Sequence, residues 1–213
     1  MRDMKAAVFD LDGTLIDTEP RNQVMWARLF EVNGAPYDRA LISSFAGRRG
    51  GEVLADLLHL FPGRTVGDLF AEAVSYGNDP DLPVAEPVKG AVELVTELHR
   101  LRVPLAVVTS GIRPYAEGLL ALLGIGAMLQ VVVTANDVTD GKPHPEGYLA
   151  ACRGLGVHAA EAVAFEDAPA GVAAAKAAGM RCVGVTTTQP AELLAGADLV
   201  VADLTELSWP PQF

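Results

Sequence analysis

The chain has 213 residues, half of them apolar and a fifth charged, which suits a folded protein with one substantial core and room for a small second unit. With 16 basic against 27 acidic side chains the formal net charge is −11, which argues against nonspecific nucleic-acid binding, since that depends on a basic surface. No stretch has the apolar length of a transmembrane helix, and Asp10 breaks the N-terminal apolar run too early for a signal peptide. The only cysteines, Cys152 and Cys182, lie in apolar stretches, as free thiols of a cytoplasmic protein would.

In chain order, Ala6–Phe9 reads as a strand buried on both faces, and it ends in Asp10-Leu11-Asp12-Gly13-Thr14. Two carboxylates at the edge of a buried strand suit metal coordination, or attack on phosphorus by one of them. The bland alternative is a polar turn, and Thr14 is read as serving that turn. From about residue 17 to residue 83 no strand pattern occurs. Helical patterns cover Glu19–Val32, 52–60 and Val66–Tyr76, and 78–87 has the Pro and Asp content of a linker. This interval is read as a helical cap, residues 17–83, inserted by two hinges into a core formed by residues 1–16 and 84–213. Beyond it, apolar strands at Leu105–Val108, 131–134, 162–165, 182–185 and Leu199–Val201 alternate with helical patterns at 88–101, 114–123, 145–155 and 169–178. Such alternation predicts an α/β fold with a doubly wound parallel sheet.

Ligands of open α/β sheets bind beyond the carboxyl ends of the strands. The first strand would bring Asp10 and Asp12 there, the strand 105–108 Thr109-Ser110-Gly111, and the strand 162–165 Glu166-Asp167. The loop after 131–134 would bring Asp140-Gly141-Lys142-Pro143. Carboxylates gathered in one crevice repel unless protons or a cation intervene, and Mg2+ is the natural cation for oxygen ligands shared with a phosphate. Asp10 can act as nucleophile and form an aspartyl-phosphate. Asp12, two residues on, is better placed to protonate the leaving alkoxide and then activate water. Thr109, with nearby amides, can hold phosphoryl oxygens, and Lys142 supplies positive charge that attracts a dianion to an acidic protein.

These residues resemble the haloacid dehalogenase-like hydrolase superfamily over essentially the whole chain. The first motif is matched by Asp10 through Thr14 and the second by the apolar run ending in Thr109. The lysine motif is matched by Gly141-Lys142-Pro143-His144-Pro145, and the fourth by Phe165-Glu166-Asp167-Ala168-Pro169-Ala170-Gly171. The resemblance implies a Rossmann-like core with an inserted helical cap, Asp10 as nucleophile and Asp12 as acid/base. It also implies phosphate binding by Thr109, Ser110 and Lys142, and Mg2+ held by the Asp10 carboxylate, the Asp12 carbonyl and Asp167, with Glu166 on a metal water. Val107 through Gly111, Phe165 through Gly171 and the loop Thr186 through Glu192 are most similar to small sugar- and polyol-phosphate phosphatases, the glycerol-phosphate and deoxyglucose-phosphate group.

The expected function is therefore a Mg2+-dependent phosphomonoesterase acting on a small phosphorylated sugar or polyol, monomeric, cytoplasmic, with no nucleic-acid or membrane partner. Dehalogenases of the superfamily lack the second aspartate, which is present here as Asp12. The β-phosphoglucomutase branch is the alternative. It carries a cap histidine twelve residues beyond the nucleophile, where this chain has Asn22. A non-catalytic binding module would have lost one of the chemical residues, and none is missing. The cap should select the substrate. Arg48 and Arg49, in a Gly-rich cap loop, either contact substrate or form a solvated basic pair. Glu19 and Asn22 open a cap helix and are read as lining the cleft, while Trp26 is read as cap core. Arg113 is read as a helix-start surface residue with reach to substrate as the alternative. His59, His99 and His158 are read as surface or satisfied positions, and His144 as structural.

Overall fold

The structure is a computed structural model that describes residues 4–77 and 79–213; Asn78, which opens the expected linker, and the side chain of Glu206 lie outside the described residues. In chain order, β1 (Ala6–Phe9) and a short β2 (Ile16–Asp17) precede α1 (Glu19–Val32), α2 (Arg39–Ser43), α3 (Gly50–Asp56) and α4 (Val66–Tyr76). A short β3 (Glu86–Pro87) leads to α5 (Ala91–Arg100), β4 (Leu105–Val108), α6 (Arg113–Leu122) and β5 (Val131–Val133). The chain then runs through α7 (Glu146–Leu155), β6 (Ala162–Glu166), α8 (Pro169–Ala177), β7 (Arg181–Val185) and β8 (Leu199–Val201).

The main sheet is six-stranded in the order β5-β4-β1-β6-β7-β8, and all its pairings are parallel. Successive side chains of a strand point to opposite faces. Accordingly Ala7 and Phe9 pack with Leu94, Val95 and Leu98 of α5 and Leu120 of α6. Ala6 and Val8 pack on the other face with Tyr148 and Ala151 of α7 and Val172 of α8. Every β1 side chain is buried, as a strand covered on both faces requires. Phe9 pairs in register with Phe165, and the two rings stack at 4.5 Å. β1 is the topological switch point. Its parallel neighbours β4 and β6 both follow it in sequence and lie on opposite sides, so the loops at their carboxyl ends part and leave a crevice.

The helices α1–α4 have an apolar cluster of their own, built on Trp26, Leu29, Phe30, Phe45, Leu54 and Leu69. Trp26 stacks on Phe45 at 4.3 Å, so it is a packing residue, in line with the sequence reading. At the base of this helical unit β2 and β3 pair antiparallel, Ile16 opposite Pro87 and Asp17 opposite Glu86. This two-residue ribbon is too short to leave a periodic signal. The expected helix over 88–101 begins later, at Ala91. The Val88 amide donates to the Leu15 carbonyl at 3.1 Å and the Lys89 carbonyl accepts from the Leu204 amide at 3.1 Å, so these backbone groups tie the chain to its neighbours instead. The expected helix over 52–60 is α3 followed by a separate 3-10 turn, Leu58–Leu60. Among the described residues, no helix is long and apolar enough to cross a membrane.

Candidate active site

The adjacency of β4, β1 and β6 sets Thr109, Asp10 and Glu166 side by side, and the loop after β5 inserts Lys142 among them. The Lys142 ammonium is buried. It donates to Asp10 Oδ1, to Glu166 Oε1 at 2.7 Å and to the Val108 carbonyl at 3.1 Å. All three ammonium protons are thereby used. The Tyr148 hydroxyl donates to the same Glu166 Oε1 at 2.5 Å, and the Tyr148 ring faces the ammonium at 5.4 Å. Burial acts on Lys142 against its charge, but Asp10 and Glu166 outweigh it and hold the ammonium above its ordinary pKa. Burial pushes the Asp10 carboxyl well above the usual carboxylate range, a shift that the Lys142 charge only partly opposes.

Asp167 completes the cluster. Burial, reinforced by the Glu166 charge, raises its carboxyl to about 8. Thr14 donates to its Oδ1 at 3.2 Å, and Thr188 donates to its Oδ2 and, at 3.2 Å, to its carbonyl. Thr14 therefore does more than serve the turn. Gly13 has φ +84°, and a Cβ there would lie 2.1 Å from Asp167 Oδ2, so only glycine allows this approach. Gly171 does the same for Glu166, since a Cβ there would lie 1.9 Å from Oε1.

Ligand oxygens of Asp10, Glu166 and Asp167 lie within 4.8 Å of one another. Asp10 Oδ2 and Glu166 Oε2 are buried and have no hydrogen-bond partner among the described residues. If all three buried carboxyl groups ionised, one ammonium would leave negative charge uncompensated, and unpartnered buried oxygens are costly. An all-oxygen donor set with two free oxygens fits a hard divalent cation such as Mg2+. Asp140, His144 and Glu146 also lie close together, but Asp140 and His144 are exposed and Glu146 is half-buried. Glu146 accepts from the Thr139 and Asp140 amides and so shapes the loop that carries Lys142.

Asp12 differs from Asp10. It is half-buried, and its hydrogen-bond donors are hydroxyls instead of an ammonium. Thr18 donates to its Oδ1 at 2.7 Å, Tyr115 donates to the same oxygen at 2.5 Å, and Thr109 donates to Oδ2 at 3.3 Å. Thr109 also accepts from the Gly111 amide at 2.9 Å. Asn22, one turn into α1, donates to the Thr18 hydroxyl at 3.2 Å and so lies near Asp12. Glu19 accepts from Gln23 at 3.0 Å, and burial raises its carboxyl.

The arginine pair is split. Arg48 pairs with Asp56 at the surface, at 2.9 Å. Arg49 leaves the helical unit and donates to the core carbonyls of Ala135 at 3.1 Å, Val138 at 2.8 Å and Thr139 at 2.7 Å. It lines a narrow cleft together with Thr109, Ser110, Asp140 and Lys142. The alternatives of a substrate-contacting pair and a solvated pair both omit this bridge. Ser110 bridges the same units through its hydroxyl, which donates to the Gly47 carbonyl at 3.0 Å. Arg113 pairs with Asp137 at 2.6 Å and reaches the Val132 carbonyl at 3.2 Å, engagements within the core. His59, His99, His144 and His158 are exposed, and Cys152 and Cys182 are buried free thiols. Sequence reasoning assigned no contact with the carboxylates to Thr14, Thr18, Tyr115, Tyr148 or Thr188. Of these, only Thr14 and Thr18 stand near a motif aspartate in sequence, which was the available signal.

The family model described as haloacid dehalogenase-like hydrolase matches residues 7–185. The chain is 53% identical over 206 residues to a validoxylamine A 7'-phosphate phosphatase from Streptomyces hygroscopicus subsp. limoneus, covering 97% of each chain. It is 38% identical over 211 residues to glycerol-1-phosphate phosphohydrolase 2 from Saccharomyces cerevisiae, covering 93% of this chain and 82% of that one. Among solved structures it superposes on β-phosphoglucomutase from Clostridium difficile with a TM-score of 0.82, covering 97% of this chain and 94% of that one. At 24% identity that is a likeness of fold.

Because Glu166 and the α8 backbone approach this closely, Gly171→Ala is expected to lower the unfolding free energy by about 2–3 kcal/mol. Urea titration followed by circular dichroism checks this, and a midpoint equal to the wild type would contradict the packing described.

Proposed function

This chain belongs to the haloacid dehalogenase-like hydrolase family and is one of its phosphatases; we propose that it hydrolyses a small phosphorylated sugar or polyol through an aspartyl-phosphate on Asp10, with Mg2+ as cofactor. The carrying observation is the contrast between the two aspartates at the end of β1. Asp10 is buried and clamped by an ammonium, whereas Asp12 is half-buried among hydroxyls. Such a pair divides the labour of nucleophile and proton carrier.

Lys142 fixes the Asp10 carboxylate for attack on phosphorus and places positive charge beside the transferring group. Thr109, with the Ser110 backbone amide, binds phosphoryl oxygens at the end of β4, while the Ser110 hydroxyl stays on the Gly47 carbonyl. Asp12 gives a proton to the leaving oxygen as the bond to phosphorus breaks. It then takes a proton from the water that cleaves the aspartyl-phosphate, which frees the Asp10 carboxylate and leaves Asp12 protonated as at the start. The Asp10 carboxylate, the Asp12 carbonyl and Asp167 would hold Mg2+, with Glu166 behind a metal water. When bound, the ion offsets the charge of the phosphate and of the carboxylates. We read residues 17–83 as a cap that covers the crevice and excludes bulk water, and residues 1–16 with 84–213 as the catalytic core. The Arg49 and Ser110 bridges support that reading. Asn22, bonded to the Thr18 that holds Asp12, and Glu19, at the start of the same helix, are the cap groups we assign to the substrate. The reading includes a cytoplasmic monomer with no nucleic-acid or membrane partner. The sugar phosphomutase alternative uses the same core groups, but the phosphatase relatives at 53% and 38% identity favour hydrolysis.

Phosphate release from a panel of sugar and polyol phosphates, with Mg2+ and with EDTA, tests the reading. Metal-dependent release is expected, and interconversion of glucose 1-phosphate and glucose 6-phosphate without release would favour the mutase. Asp10→Asn should abolish turnover and leave the circular dichroism spectrum unchanged; full activity in that variant would remove Asp10 as nucleophile.

A pH dependence follows from Asp167. Its carboxyl titrates near 3.8 in the unfolded chain and at about 8 in the folded one, so the folded protein binds the extra proton between those values. Without metal, this group contributes stability that is present below its unfolded pKa and is lost as pH rises through about 8. A bound cation needs the ionised form, so the rise in melting temperature on adding Mg2+ should be larger at about pH 8 than at about pH 5. Equal rises at the two pH values would contradict the assignment of Asp167 as a ligand.

A further inference from the structure

Tyr115 lies in the first turn of α6, close behind the Thr109-Ser110-Gly111 loop, and no motif includes it. Its ring is seated against Gly111, where a Cβ would approach Tyr115 Cδ1 to 2.8 Å. Its hydroxyl donates to Asp12 Oδ1 at 2.5 Å, the same oxygen that accepts from Thr18 at 2.7 Å. Thr18 in turn accepts from Asn22 at 3.2 Å. Among the described residues, the other carboxylate oxygen, Oδ2, has only the longer 3.3 Å contact from Thr109. The phenol has one O–H, and it is directed at this carboxylate.

The carboxylate is therefore asymmetric. Two O–H donors use the lone pairs of Oδ1, which leaves Oδ2 as the oxygen able to carry a proton. Oδ2 is also the oxygen turned toward Thr109, where the phosphoryl group is placed by the reading above. We infer that Tyr115 is a positioning residue for Asp12: with Thr18 it holds Oδ1 so that Oδ2 faces the reacting bond. The inference rests on the reading of Asp12 as proton carrier. In the first half-reaction a proton passes from Oδ2 to the leaving oxygen as the oxygen–phosphorus bond breaks. In the second, one passes from water to Oδ2. Tyr115 keeps its own proton throughout.

The test is Tyr115→Phe, which keeps the ring and removes only the hydroxyl. The readout is kcat/KM, which reports steps through formation of the phosphoenzyme. The aryl ester is p-nitrophenyl phosphate, whose leaving group departs without a proton. The alkyl ester is whichever of glycerol 1-phosphate, glucitol 6-phosphate and glucose 6-phosphate the wild-type protein hydrolyses fastest. The expected result is a loss of about tenfold or more for the alkyl ester, carried by kcat with KM little changed, and a loss of less than about twofold for the aryl ester. A general disturbance of the site would lower both esters alike. Equal losses, or no loss for either, would overturn the positioning role while leaving the phosphatase reading in place. Wild-type protein that hydrolyses neither class would overturn that reading and this assignment with it.

Discussion

One buried ammonium organises this protein. Lys142 reaches into the sheet edge and uses its protons on Asp10, Glu166 and the Val108 carbonyl, thereby tying the ends of β1, β4 and β6 together. Desolvating such groups is costly, and breaking a buried pair costs about 3–5 kcal/mol, so the cluster persists only because its members satisfy one another. The rest of the site follows from it. Glu166 needs the Tyr148 hydroxyl, and the missing side chain of Gly171 leaves room for its carboxylate. The remaining free oxygens, Asp10 Oδ2 and Glu166 Oε2, mark where a cation fits the charge left over. The parallel strand order is what permits this, because it sets β4 and β6 on either side of β1 at the switch point.

Around that fixed centre, the helical unit makes contacts of a different kind. Its apolar cluster is separate from those of the sheet, and its links to the crevice are polar. Arg49 ends on carbonyls of the core loop that leads to Lys142, Ser110 holds the Gly47 carbonyl, and Thr18 holds Asp12. A separate core with polar, easily exchanged contacts suits an element that opens and closes. The two-residue ribbon of β2 and β3 joins the helical unit to the sheet at both of its ends, where the proposed cap would hinge.

The sheet was legible because its strands are covered on both faces. Continuous apolar runs such as Ala6–Phe9 and Leu105–Val108 have the bounds expected of them. The longest helices of the helical unit, Glu19–Val32 and Val66–Tyr76, also follow their periodic patterns. Short elements left too little signal, as with α2 and the β2–β3 ribbon. At the site, the convergence of Asp10, Thr109, Lys142, Glu166 and Asp167 could be read from where strands end. The partners of those groups could not. Tyr115, Tyr148 and Thr188 are ordinary residues by type, far from the carboxylates in sequence, and only the folded chain brings them within hydrogen-bond distance. Arg49 shows the same limit, since nothing in a Gly-rich loop indicates that its arginine will bind core carbonyls.

The central claim is that Asp10, clamped by Lys142, becomes phosphorylated during turnover. Its most direct test is acid quenching of a single turnover, followed by peptide mass spectrometry of the segment around Asp10. The account predicts a phosphoryl group on Asp10 that appears and decays within the turnover and is released by hydroxylamine, as an acyl phosphate should be. Phosphate release at the full rate with no phosphoryl group on Asp10 at any time would contradict it.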